Sequence, residues 1–393
     1  RTIGTVVRGV RAPIIREGDN IAEVAAASVM EAWKEAGIEP RDRDVVAVTE
    51  SVVARAQGNY ATLDQIAKDV REKTGGGTVG VAFPILSRNR FSLLLRGMAM
   101  GCKKIVLLLS YPSDEVGNGL VNWDKLDEAG VDPYSDVLTL EQFREKFGAA
   151  VHPFTGVDYI DFYSGIITDA ALSRGHLRQS RADAVRLHRR VITCDIHTRA
   201  RSKRLLKALR RVVLGLDDLL NRSVDGSGYN AEYGLLGSNK ATEETVKLFP
   251  RDCMAVAEEL GERLSKASGK HIEAMVYGDG AFKDPVGKIW ELADPVVSPG
   301  YTKGLVGTPN ELKLKYLADN DFGDLKGEAL KEAIEERIRE KTSESLVGNM
   351  VSEGTTPRRL TDLIGSLCDL TSGSGDKGTP IVYFSYFDNY SND

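Results

Sequence analysis

Short β-branched runs separated by helix-patterned segments are the feature that most narrows what this chain can fold into. Residues 6–15 read as a β segment, 44–49 (Asp-Val-Val-Ala-Val-Thr) as a compact strand, and 79–83 and 105–109 as short buried strands. Between the first two, Ile21, Val24, Ala25, Val29 and Trp33 recur at helical spacing. Asp19 or Asn20 is placed to cap that helix with a side-chain oxygen, and Gly37 to end it. A second helix over about 90–100 separates the next two strands. This β-α-β alternation predicts a mixed α/β chain, α+β in class, with helices layered on sheets. Further along, strands are predicted at 191–196, 271–277 and 381–386, and helices at 251–269 and 328–341.

At 393 residues the chain is long enough for two or three folding units. Its character changes between 111 and 220: turn-rich and polar to Gly148, then aromatic through Tyr163, then basic. That stretch is predicted to be an inserted subdomain, within a core made of 1–110 and 221–393. The net charge of −5 leaves no basic excess to neutralise a nucleic-acid backbone, the stretch 181–211 being a local exception. The longest apolar run, 105–109, is far too short to cross a bilayer, so neither membrane nor nucleic acid is an expected partner, and the cytoplasm is the expected compartment. Cys102, Cys194, Cys253 and Cys368 lie far apart without a CxxC pair, which predicts buried thiols rather than disulfides or zinc ligands. No HExxH or GxSxG occurs, so a zinc hydrolase or a nucleophile elbow is not indicated.

Three loops could carry chemistry. Residues 277–287 end a strand in Gly278-Asp279-Gly280, exposing one carboxylate between glycines, with Asp284, Glu291 and Asp294 downstream. Several carboxylates near one strand end suit Mg²⁺ or Mn²⁺, because hard cations take oxygen ligands; a plain Asp-Gly turn is the alternative. Residues 225–230 and the run Gly237-Ser238-Asn239-Lys240 have the small polar composition of an anion-binding backbone nest, without a Walker spacing; asparagine-glycine turns would look the same. Residues 371–380 read equally as a phosphate cradle or a surface connector, and Arg358 with Arg359 as a phosphate clamp or as surface arginines after a cap. His197, with Arg199, Arg201 and Lys203, could meet an anionic substrate or be a satisfied histidine at a strand end.

Two stretches are also familiar. Gly18-Asp19-Asn20-Ile21-Ala22-Glu23, followed by 44–58, resembles the amino-terminal signature of the coenzyme F-420 γ-glutamyl ligases, where a GDD-L-type helix start precedes a strand and a T-x-K-I-V-S-K-A-E-G segment. Ser51 stands in place of the first lysine of that segment, Arg55 of the second and Gln57 of its glutamate. Residues 278–282 are similar to the family's S-D-T-F-G metal loop, and 237–240 to its A-G-V-D-R-S-N loop, with Asn239 in place of the aspartate. The resemblance is carried by about 6–59 and 234–294, not by the middle of the chain, and points to a long bacterial branch of the family.

The resemblance implies an amide ligase that uses GTP or ATP with Mg²⁺ or Mn²⁺ and joins an amino acid to a small carboxylate acceptor through an acyl phosphate. It also implies an α+β fold in an intertwined homodimer, with strands 6–10 and 45–48 free to pair between subunits. Under it, Arg55 and Lys240 are candidate catalytic residues. Ser51, Gly58, Gly237, Ser238, Arg358 and Arg359 would face nucleotide phosphates, and Asp279, Asn239, Asp284 and Glu291 the metal. Ser51, Arg55 and Gly58 are then expected beside Asp279. A metal-dependent phosphohydrolase or phosphotransferase, or a nucleotide-binding protein without chemistry, would use the same acidic loop.

Overall fold

The computed structural model describes residues 4–152, 155–172, 189–208, 212–279, 295–307, 312–342, 349–352, 359–371 and 378–385. The α+β expectation is met by three sheets with helices packed on them. In the first, β1 (Val6–Val10), β12 (Ile381–Ser385), β2 (Val45–Thr49), β10 (Glu273–Tyr277) and β11 (Gly300–Tyr301) lie in that order. β2 and β10 run parallel and the other pairs antiparallel.

The three central strands are buried along their whole length, which is why they read as continuous apolar runs rather than alternating ones. Successive side chains still leave on opposite faces. Val46, Val48, Ala274 and Val276 meet α1 (Ile21–Ala36) and the Cys253–Ser268 helix on one side. Val45, Ala47 and Met275 meet the Leu360–Thr371 helix on the other. α1 begins and ends where the pattern predicts: the Asn20 side chain accepts from the Glu23 N–H at 3.0 Å, and Gly37 closes the helix in the left-handed region.

The second sheet is small and antiparallel: β3 (Tyr60–Thr62), β9 (Thr245–Lys247) and β8 (Asn239–Lys240). The third is all parallel, in the order β5 (Lys104–Leu108), β4 (Thr78–Ala82), β6 (Arg190–Thr193) and β7 (Val212–Gly215). β4 and β5 precede residue 110 while β6 and β7 follow it, so the middle of the chain and the segment before it share this sheet. Next to it, α3 (Leu63–Thr74) and α4 (Phe91–Gly101) pack closely, because a Cβ at Gly97 would stand 2.7 Å from Cγ2 of Ile66 and one at Gly101 2.6 Å from the Ala67 carbonyl oxygen. Tertiary packing thus explains glycines that helix propensity alone disfavours.

All four cysteines are free and buried, as their surroundings in the sequence predict. Among the described residues no helix is long and apolar enough to cross a membrane. Strand β2 is flanked on both sides, by β12 and β10, so 45–48 has no edge to offer another subunit; that expectation falls, and among the described residues β1 and β11 are the edge strands.

Candidate active site at the ends of two parallel strands

Parallel pairing of β2 with β10 sets Thr49 beside Tyr277, so Glu50-Ser51 and Gly278-Asp279, from distant parts of the chain, leave the sheet at one edge. Thr49 caps α2 (Glu50–Ala56), its side chain accepting from the Ser51 N–H at 3.5 Å. That turn holds Glu50 in the interior with its side chain 9% exposed. Lys247 reaches it from β9, with Nζ 3.4 Å from Oε1 of Glu50 and donating to the Ser51 hydroxyl at 2.7 Å. Its own side chain is 12% exposed. Two of the three ammonium donors are thereby engaged. Burial, with the charges of Glu50 and Asp252 adding to it, pushes the Cys253 thiol up to about 12, so this cysteine stays protonated at neutral pH.

Beyond Tyr277, the Gly278 N–H donates to the Val297 carbonyl at 2.8 Å, and the Asp279 carboxylate forms an ion pair with the guanidinium of Arg90. Arg90 opens α4, and the carbonyl of its neighbour Asn89 accepts the Lys240 N–H at 2.7 Å. Asn239 lies opposite Lys247 in the β8–β9 ladder. Strands β8 and β9 of the small sheet, the start of α4 and the ends of β2 and β10 thus form one neighbourhood. Gly237 belongs to it through a close approach: at φ +68°, a Cβ there would stand 2.6 Å from Cδ of Pro295.

The remaining predicted site residues divide. Ser51 and Asp279 share the strand edge. Arg55 donates through Nε to the Ile15 carbonyl at 2.6 Å, and Gly58, at φ +60°, presses against the Glu17 carboxyl, so both lie toward the far end of α2. A helix of seven residues spans about 10 Å, enough to separate its two ends. Ser238 turns its hydroxyl inward onto the Leu235 carbonyl at 2.7 Å. Lys240 pairs its ammonium with Glu243 on the surface. Arg359 is exposed at the start of the Leu360–Thr371 helix, with Nε 3.9 Å from Asp362. Asp284, Glu291, Asp294 and Arg358 lie outside the described residues, as does most of 371–380. In 225–230, the N–H groups of Ser227, Gly228, Tyr229 and Asn230 are already bonded within the protein, which leaves them unavailable to an anion.

Sequence reasoning did not single out Glu50, Lys247, Arg90 or Arg251. Arg251 donates to Oδ1 of the buried Asn59 at 2.6 Å and lies 4.7 Å over the Tyr229 ring. Gln57 exchanges two hydrogen bonds with its backbone, at 2.6 and 2.9 Å. The substituted glutamine of the amino-terminal signature therefore joins α2 to the Cys253–Ser268 helix. The only signal for Lys247 was a charged residue within a short alternating run.

A hard cation would suit a carboxylate at an open strand end, but Arg90 already supplies positive charge to Asp279. Among the described residues no group of three or more His, Cys, Asp or Glu side chains is gathered as a metal site would require. Asp279 and Asn239 alone therefore do not make one.

Comparison with curated proteins finds no significant match. The family model described as F420-0:Gamma-glutamyl ligase matches residues 9–385, which takes in the middle of the chain as well as the two stretches that carry the resemblance. The chain belongs to that family of glutamate-ligating enzymes.

Proposed function

We propose that the protein is a nucleotide-dependent amide ligase that adds glutamate or another amino acid to a small carboxylate acceptor. The observation that carries this reading is the meeting of Ser51, Glu50, Lys247, Asp279 and Arg90 at the C-terminal ends of adjacent parallel strands, the usual place for ligands in such sheets. An acceptor carboxylate oxygen attacks the terminal phosphorus of GTP or ATP, and the nucleoside diphosphate leaves with the electron pair of the broken P–O bond. The amino-acid nitrogen then attacks the acyl carbon, loses a proton, and inorganic phosphate departs. Lys247 and Arg90 are the cations of this edge, suited to the negative charge of phosphate groups. Mg²⁺ or Mn²⁺ belongs to the proposal: Asp279 and Asn239 would contribute oxygen donors, with Asp284 and Glu291 from outside the described residues. When bound, the ion would offset charge on the nucleotide phosphates.

The test is a turnover screen with GTP and ATP, with each metal, across amino acids and carboxylate acceptors, following both phosphate release and amide mass. Nucleotide consumption that requires both acceptor and amino acid is the expected result. Phosphate release to water alone, unchanged by either organic substrate, would instead make the protein a phosphohydrolase.

The reading includes a cytoplasmic homodimer. Among the described residues one edge of β1 carries no strand, and that edge would pair with its counterpart in a second copy, since an unpaired strand edge seeks another strand. Light scattering at micromolar concentration is expected to give twice the chain mass, and a monomer under those conditions would remove the dimer.

A further inference from the structure

The four-stranded parallel sheet carries a second candidate site. Its order, β5-β4-β6-β7, means that the chain winds outward in one direction from β4 to β5 and in the other from β4 to β6 and β7. Crevices outside the carboxyl ends of strands at such a switch point are where doubly wound sheets hold small molecules. A cavity of about 630 Å³ lies beside β5 and the end of β4, with Arg201 reaching it from the helix after β6. Phe83 after β4, Leu107 and Leu109 at the end of β5, and Phe143 and Ile160 from following helices make its walls apolar. Phe83 holds φ at 57°, a left-handed conformation that a bulky side chain rarely adopts and that tends to occur at functional sites. Size and lining match those of ordinary small-molecule pockets.

The polar groups decide the ligand. After β6 the chain enters the Arg199–Lys207 helix, and the N–H groups ahead of it would ordinarily attract phosphate. Here the Glu115 carboxylate fills that position, accepting from the N–H groups of His197 and Thr198 at 3.0 Å each. Asp195 pins the first turn through the hydroxyls of Thr198 and Ser202, both at 2.6 Å. Lys203 and Arg199 are drawn to Asp217, at 3.1 and 3.8 Å. Arg201 remains, at the cavity, with no ion-pair partner among the described residues. Ser110 and Ser164 add hydroxyls to the lining, and Asp136, whose carboxylate accepts the Asp132 N–H at 2.9 Å, adds an acid to it. A nucleotide would bring several phosphate charges to one guanidinium, whereas a single carboxylate matches it as a bidentate partner.

We propose that this cavity binds an organic monocarboxylate with an apolar body, its carboxylate on Arg201 at the mouth and its body among the leucines and aromatic rings. The cavity lies on a different sheet from Asp279, and the inference rests on none of the ligase reading.

Decanoate and decan-1-ol serve as probes, titrated calorimetrically into the full chain without nucleotide. Decanoate is expected to bind wild type roughly 10- to 100-fold more tightly than the alcohol, the range for a charge-assisted hydrogen bond in a partly enclosed site. Arg201→Gln, at an exposed position, should remove that preference while leaving the alcohol's affinity unchanged. Ser164→Trp, which fills the cavity, should abolish binding of both, with folding followed by thermal melting. The proposal is overturned by equal affinities for the two probes in wild type, by an unchanged preference in Arg201→Gln, or by full binding in a folded Ser164→Trp. No decanoate binding to wild type up to about 1 mM would overturn it as well.

Discussion

Asp279→Asn is expected to lower metal-dependent nucleotide turnover by at least about 100-fold while leaving the fold intact. The substitution keeps the shape of the side chain and most of its hydrogen-bonding capacity, and removes only the charge that faces Arg90 and any divalent ion. The loss of the Arg90 pair should cost stability little, within about 1 kcal/mol, because both side chains are partly in solvent, at 20% and 32% exposure. Turnover and melting temperature therefore separate the two roles open to this residue. A structural turn predicts lower stability with activity per folded molecule unchanged; a site residue predicts the reverse. If metal affinity and turnover both stay at wild-type levels, Asp279 is not part of the reaction, and the strand-edge assignment goes with it.

Lys247→Met should act on both quantities. Lys247 and Glu50 form a pair that is nearly enclosed, and removing Lys247 takes its positive charge away from a carboxylate held in the interior. The expected cost is about 3–5 kcal/mol, visible as a lower denaturation midpoint with an unchanged slope. Combining it with Glu50→Gln removes the stranded charge, so most of that stability should return. Turnover should not return, falling about 100-fold or more in both proteins, since the ammonium beside Ser51 is gone. A double variant with full activity would show that the pair serves packing alone. A single variant as stable as wild type would show that the pair is well hydrated in solution.

The contrast between what the chain announced and what it concealed has a physical origin. Strands 45–49, 273–277 and 381–385 were legible because burial on both faces demands uninterrupted apolar, β-branched residues. α1 was legible because its caps and its apolar stripe are local. β8 and β9 are two and three residues long, too short for any periodicity to register. Asp279 could be marked by its glycine neighbours, whereas Arg90 looked like any surface arginine before a helix. Its place beside Asp279 comes from an ion pair between residues 189 positions apart. The ammonium of Lys240, marked by its polar neighbourhood, pairs with Glu243, three residues along the same loop, a contact that composition does not announce. The sharing of the parallel sheet by β4, β5, β6 and β7 was equally out of reach, because composition changes at residue 111 and sheet membership does not.

The position of β12 bears on how the molecule is assembled during synthesis. This strand, at 381–385, lies between β1 and β2, so two strands made long before it have no direct contact with each other in the finished sheet. The parallel sheet is complete once residue 215 has emerged, and the three short strands once 247 has. The sheet that carries Thr49 and Tyr277 must wait with a strand-wide gap, its early pieces joined to partners that are still on the ribosome or not yet made. Ordering so many non-local contacts at the end is slow, and it leaves the exposed edges of β1 and β2 open to wrong partners meanwhile. The strand edge proposed as the active site therefore comes under its final restraint only when β12, made after every other described strand, slides into the middle of a sheet that β1 and β2 had begun.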